Sequence, residues 1–345
     1  MTASIPSVQT AALIRNPGPN AGIEIRHDYP VPQPGKNEVL LKMECSGICY
    51  SDIYVYTGNN PHYNEVPCHE GVGKVIQLGP DVADRTLLGQ RVGLGWIYSV
   101  CGQCYNCAAG RNNWCVNQAN TGTDKPGTMQ QYVVANADYL MPIPDDLSSS
   151  HAAPFLCGGV TMAGALSLCD DALADGDTLV ISEDVIQKVM ELTNGKGADA
   201  AIVVPAATEA FDQALQYLKI TGTMICAGIT RMDYRLPVSP TELEYRGLVL
   251  KGCHVGTENQ LKQLLISAAK KEVVPHVEIF EFEKTGELFE RIKHGDAMSI
   301  VAAIERRLSR KTAEQVPASD ITYRHVSKEM QLSSNATNSI DKHSM

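Results

Sequence analysis

Eight residues of this chain have the types and spacings that hold metal ions. Cys101, Cys104, Cys107 and Cys115 lie in "CGQCYNCAAGRNNWC" at Cys-x2-Cys-x2-Cys-x7-Cys. Thiolates two residues apart can wrap one tetrahedral Zn²⁺, and four of them leave no open position, which is the chemistry of a structural site. Two other readings of these residues stand: four unrelated buried cysteines, and an iron–sulfur cluster. Against the cluster, the fourth cysteine is far downstream and no proline follows it. The second set is dispersed: Cys49 in "GICYSD", His69 and Glu70 in "CHEGVG", and Cys157 in "PFLCGG". A lone buried cysteine is ordinarily a small apolar residue, and a lone histidine an ordinary hydrogen-bonded one. Together, two thiolates and one imidazole are the set for a catalytic zinc with one position open.

The elements that must position these ligands fall into two textures. Residues 1 to about 160 read as mostly β, with short apolar segments such as "EVLLKMECSG", "GVGKVIQLG" and "QQYVVANADYLMPIP" between Gly, Pro and Asn turns. From about 161 the chain reads as α/β. "TLVIS", "AAIVV" and "TMICAGI" are apolar runs of the kind buried in parallel sheets. "DVIQKVMELT" and "EAFDQALQYLK" carry helical spacing, with Asp184 and Thr208 preceding or opening them as caps. After "LVLKGCHVGT" come a helix, "ENQLKQLLISAAKK", and a strand-helix-strand return, "HVEIFEF", "TGELFERIKHG" and "MSIVAAIE". The expected domains are 1–160, 161–275 and a return over 276–307. A polar tail, 308–345, is expected to be disordered.

With 345 residues the chain is long enough for two domains. Its 44% hydrophobic and 20% charged residues are those of an ordinary globular protein, and the net charge of −10 argues against a nucleic-acid partner. No apolar run approaches the roughly 18 residues of a membrane span, so no membrane partner is expected. "MTASIPSVQTAALIR" lacks the pattern of a secretory signal. The expected location is the cytoplasm, where clustered cysteines ligate metal more often than they form disulfides.

From about residue 8 to 307 the chain resembles the zinc-dependent medium-chain alcohol dehydrogenases, microbial type. "GICYSD", "HEGVG", the four-cysteine lobe, "APFLCGGVTMAGAL" and "GLVLKGCHVGT" follow in family order. The resemblance implies a GroES-like β-rich catalytic domain joined to a Rossmann-type parallel sheet. It implies two zinc ions, one structural and one catalytic, the latter on Cys49, His69 and Cys157. Glu70 becomes an alternate ligand or neighbouring carboxylate, and Asp52 the acid that orients the ligand histidine. Ser51 takes the hydroxyl position that relays the substrate proton, and Trp96 and Asn60 stand where the family lines its substrate pocket. Tyr54 replaces a histidine that ends the relay in many relatives. With an ordinary pKa of about 10 against about 6.5, tyrosine is the poorer proton exchanger near neutrality. The implied partners are a small alcohol, aldehyde or ketone, NAD or NADP, and further copies of the chain as a dimer or tetramer.

One part of the family pattern is missing. "DTLVIS" matches the first nucleotide-binding strand, which should lead into a glycine-rich turn over the pyrophosphate. Here Glu183-Asp184-Val185 follows, and "DVIQKVMELTNGKGADAAIVV" matches the segment entering the fourth strand. Two strand-helix units of about 30 residues each are absent, a gap of about 60 residues. Gly195 and Gly197 follow a helix and precede a strand, the reverse of a phosphate loop, and read as a helix C-cap and turn. Tyr50 and Ser299-Ile300 stand where relatives place positive charge against the pyrophosphate. Deleting the second and third strands leaves a legal half-sheet of order 1-4-5-6 with a newly exposed apolar edge. A skipped exon or mis-spliced gene product would give such a chain. The leading expectation is a zinc alcohol dehydrogenase whose cofactor binding is impaired. The alternatives are a cofactor-independent zinc lyase or isomerase, and a pseudoenzyme.

Overall fold

The computed structural model describes residues 4–170, 172–174, 177–181, 186–295 and 300–304. The chain forms two compact units. The first holds residues up to 167 with 229–234 and the stretch from 253; the second holds 168–228 and 235–252.

The first unit is built on a seven-stranded sheet. Glu38–Ile48 pairs antiparallel with Glu70–Leu78, with Tyr132–Asn136 and with Ile300–Ala303. Arg91–Leu94 and Leu140–Pro142 continue one side, and Glu278–Glu281 the other. Glu38–Ile48 is buried along most of its length because side chains pack on both faces. One core gathers Ile48, Ile53, Tyr56, Phe289 and Ile300; another gathers Cys45, Val72, Phe155, Leu156 and Leu265. Two loops leave this frame carrying the predicted ligands. Helix Tyr50–Tyr56 starts directly after the central strand, and helix Gly158–Ser167 starts directly after Cys157.

Helix Glu258–Ala269 belongs by compactness to the first unit, although its sequence position groups it with the expected 161–275 domain. The cause is packing: Leu265 and Ala268 enter the core beside Phe155 and Leu156, and Gln260 donates to Ser167 Oγ at 2.8 Å.

The second unit is a four-stranded parallel sheet, Leu179–Val180, Ala198–Val203, Leu218–Cys226 and Val249–Gly252, in that spatial order. This is the half-sheet expected from the sequence. Helices Ile186–Leu192, Thr208–Tyr217 and Pro240–Arg246 lie in the three connections. Ala198–Val203 is buried throughout, as a central parallel strand should be. The first strand is shorter than "TLVIS": two residues pair, and Ile181 beyond them is 46% exposed. Ser182 to Val185, including the expected cap Asp184, lie outside the described residues, as do Ser299 and the tail from 305. Thr208 opens its helix, whose N-cap is Ala207. Gly195 and Gly197 both have positive φ, 78° and 83°, in the turn before the second strand.

Candidate metal centres

Cys49 is the N-cap of helix Tyr50–Tyr56, and Asp52 is its third residue. Asp52 Oδ2 accepts from Cys49 N at 2.8 Å, and Oδ1 from Cys68 N at 3.1 Å. One buried carboxylate therefore ties together the two segments that carry Cys49 and His69. His69 Nδ1 lies 3.4 Å from Asp52 Oδ1, near enough for a charge contact but without the alignment of a hydrogen bond. The other ring nitrogen, Nε2, is 3.2 Å from Cys157 Sγ, which is 3.6 Å from Cys49 Sγ. With a Glu70 oxygen, these ligand atoms all lie within 4.8 Å of one another.

The electrostatics of the cluster are those of a site suited to a cation. Burial opposes the charged form of His69, yet Asp52 and then Cys49 hold its pKa well above 6.5. Cys49 is held well below the usual thiol value, first by the Cys157 hydrogen bond and then, against burial, by His69. Burial, then the Cys49 charge, pushes Glu70 well above the usual carboxylate range. Two half-buried cysteine thiols, a buried imidazole and a buried carboxyl fit a divalent ion better than they fit one another.

The second group is Cys101, Cys104, Cys107 and Cys115, whose sulfurs also lie within 4.8 Å of one another. Sulfur separations of 3.5 Å (Cys104–Cys107), 3.5 Å (Cys101–Cys115) and 4.0 Å (Cys104–Cys115) bracket the edge of about 3.8 Å of a tetrahedron with Zn–S near 2.3 Å. Backbone N–H groups point at the sulfurs: Cys101 N at Cys115 Sγ, Cys104 N at Cys101 Sγ and Asn117 N at Cys115 Sγ, each at 3.4 Å. The Cys107 and Val116 N–H groups bring Cys104 down to about 6. A loop arranged to stabilise thiolates fits a structural zinc.

The other predicted residues occupy distinct places. Ser51 Oγ is buried and has no partner among the described residues. Tyr54 follows it by three positions on the same helix face. Trp96 packs edge-on against His69, with ring centroids 5.0 Å apart. Asn60 Oδ1 accepts from His62 N at 3.0 Å and so closes a turn. Tyr50 is 48% exposed, while Ile300 is buried in the sheet.

Two residues escaped the sequence. A Cβ at Gly47 would overlap the Glu70 carboxylate, so glycine makes room for that side chain beside the ligands. Cys68, directly before His69, has φ +75°, in the left-handed region that disfavours side chains. Its carbonyl accepts from Thr128 N at 2.9 Å, and its N–H is held by Asp52. The only sequence signal was a single non-glycine residue between the turn "EVP" and the candidate ligand His69.

The chain is similar to known proteins over most of its length. Residues 35–145 match the alcohol dehydrogenase GroES-like domain family, and 165–271 the zinc-binding dehydrogenase family. An alcohol dehydrogenase of Moraxella sp. (strain TAE123) is 31% identical over 332 positions, covering 83% of this chain and 96% of the relative. Alcohol dehydrogenase 2 of Emericella nidulans is 32% identical over 359 positions, covering 84% and 96%. Among solved structures, the alcohol dehydrogenase of Aeropyrum pernix superposes with a TM-score of 0.74 at 20% identity, covering 86% of this chain and 99% of that one. The acetophenone reductase of Geotrichum candidum, solved with NAD, gives 0.74 at 23%, covering 87% and 98%. The chain belongs to the zinc-dependent alcohol dehydrogenase family and is an oxidoreductase by that membership. Both sequence alignments are longer than the part of this chain they use, so each relative carries residues with no counterpart here. The excess is about 50–70 positions, the size of two strand-helix units of about 30 residues.

Proposed function

We propose that this chain carries the alcohol-binding, metal-holding half of an alcohol dehydrogenase in complete form, and a reduced nucleotide-binding half. The observation that carries this reading is the convergence of Cys49, His69, Glu70 and Cys157 within 4.8 Å. Cys49, His69 and Cys157 would hold the catalytic zinc, with a Glu70 oxygen as an alternate fourth ligand atom. Bound there, zinc supplies a Lewis acid that draws electron density from an alcohol or carbonyl oxygen.

The chain's own side chains supply the rest. Asp52 fixes the ring of His69 from the Nδ1 side and leaves Nε2 facing the sulfurs. Ser51 Oγ, buried and unpaired among the described residues, takes the alcohol proton and passes it toward solvent along the face shared with Tyr54. Trp96 closes one side of His69 and excludes water. The four-cysteine lobe holds a second zinc with no open position.

The nicotinamide fits less well. No glycine follows the first parallel strand before the next helix. Tyr50 and Ile300 bring no positive charge, and among the described residues no strand lies beyond Leu179–Val180. Among the described residues none selects NAD over NADP. We further propose a cytoplasmic, homo-oligomeric protein. The cysteine ligands stand as free thiols, and no described helix is long and apolar enough to cross a membrane.

Cobalt(II) substitution tests the reading without the cofactor. A visible cobalt–thiolate spectrum that shifts when a short alcohol is added shows an open coordination position. A spectrum indifferent to alcohols at every concentration overturns it.

A further inference from the structure

Val255 adopts φ +47°, in the left-handed region. For a β-branched residue that conformation is an outlier, and it persists only where the surroundings hold it. Two parts of the first unit do so from opposite sides. One is the helix Gly158–Ser167, which starts directly after Cys157. A Cβ at Gly164 would lie 2.8 Å from Val255 O, and one at Gly256 would collide with Val160 O, so the backbone at 255–256 rests on that helix. The other is the four-cysteine lobe. Asn113 Nδ2 donates to His254 O at 3.0 Å and to Val255 O at 3.5 Å, and the Trp114 and His254 ring centroids are 5.4 Å apart. One amide group that reaches two successive carbonyls fixes the peptide between them.

Asn113 itself has no scaffold but the lobe. It lies in the short turn Asn112–Trp114, two residues before Cys115. Cys115 N donates to Asn112 O at 3.0 Å, and Asn106 Nδ2 to Trp114 O at 2.6 Å, which ties that turn to the cysteines around it. Tyr105, Trp114 and Val116 stand exposed, so the loop takes little order from apolar burial. Metal ligation is the remaining source of that order.

We infer that Asn113 is a positioning residue, which carries the order of the lobe's metal site to residues 254–256 and from there to the helix that follows Cys157. The lobe then serves the catalytic metal as well as its own fold. The inference rests on the alcohol dehydrogenase reading for the role of Cys157, and adds a link between the two metal sites.

Hydrogen exchange and cobalt binding test this on the full chain with zinc in the lobe. Asn113→Asp keeps the size of the side chain and removes the donor; Asn113→Ala should act in the same direction. Both should leave the zinc of the four thiolates in place. Exchange in peptides covering 253–258 and 158–167 should quicken about tenfold, the effect of one lost hydrogen bond, while the strand Ala198–Val203 stays as it was. The affinity of Cys49, His69 and Cys157 for cobalt(II), read from the thiolate band against a competing chelator, should fall several-fold. Cys104→Ser should quicken exchange in the same two peptides, and adding Asn113→Asp to it should do little more, because both act on one path. Unchanged exchange at 253–258 overturns the inference, and so do additive effects in the double variant. Faster exchange or a lower thermal midpoint with unchanged cobalt affinity makes the bond merely structural and overturns the link alone. A native chain with no cobalt–thiolate band at Cys157 sinks the alcohol dehydrogenase reading, and the link to a catalytic metal with it.

Discussion

At the scale of single residues, the two cysteine groups make separable demands on zinc. The lobe's sulfurs are spaced for a closed tetrahedron, and structural zinc binding is linked to folding. Cys104→Ser should lower zinc content by about one equivalent and reduce the thermal midpoint. An unchanged midpoint and metal content would show that the lobe is no site. Cys157 Sγ touches both Cys49 and His69. Cys157→Ala should therefore remove the other equivalent and leave the lobe's zinc in place. A single zinc in well-folded wild-type chain would defeat the two-metal proposal. Gly47 tests the cage from outside, because a methyl group there must displace Glu70. Gly47→Ala should destabilise by about 1–3 kcal/mol through overpacking. Adding Glu70→Ala should recover part of that loss, since the clash needs both side chains. Additive losses in the double variant would mean that the two do not meet. The two clusters of candidate ligands were legible in the sequence because residue type and spacing carry their chemistry. Gly47 and the left-handed Cys68 were not, because what constrains them is close approach by chain distant in sequence.

At the scale of elements, the parallel half-sheet was legible because its strands are built around short apolar runs. Its fastening was not. Asp199 in the second strand accepts from Thr178 N at 2.8 Å and pairs with Lys219 of the third, so one carboxylate joins three neighbouring strands at one end. No spacing rule relates residues that meet only across a sheet. Burial would raise the pKa of Asp199, but the Lys219 hydrogen bond and the Thr178 N–H outweigh it and hold it below the usual value. A depressed folded pKa stabilises above the unfolded value, about 3.9, and that stabilisation is lost as pH falls through the lower folded value. Asp199→Asn should thus cost about 1.5–3 kcal/mol at neutral pH, the range for hydrogen bonds to a charged group. Denaturant midpoints of variant and native chains should converge below the folded pKa of Asp199. A difference that persists undiminished in acid would assign the effect to packing. The grouping of Glu258–Ala269 with the first unit was also invisible in sequence. Its apolar stripe at Leu265 and Ala268 says that a face is buried but not against which unit.

At the scale of the whole molecule, the two halves of one reaction have come apart. Every metal ligand and Ser51 lie before residue 160, and the structure brings the eight ligands into two groups. The nucleotide half has a sheet that begins at a two-residue edge strand, with Ile181 exposed just beyond it. Tight dinucleotide binding needs backbone donors at a helix N-terminus after a glycine turn, and an adenine crevice bounded by strands on both sides. A four-stranded sheet that starts at its first strand supplies one side of that crevice only. The chain should therefore show no saturable NADH or NADPH binding at about millimolar concentration, some 4 kcal/mol of affinity or less. Fluorescence or calorimetry reads this directly. Inserting two family-like strand-helix units, about 60 residues, after Ser182 should restore binding and alcohol oxidation together, because the metal half needs no change. Insertion that restores binding without oxidation would place a second defect in the proton path, where Tyr54 stands in for histidine. If the native chain already binds NADH at micromolar levels and turns over, the four strands hold the dinucleotide by contacts other than a glycine turn, and the account of the missing segment fails.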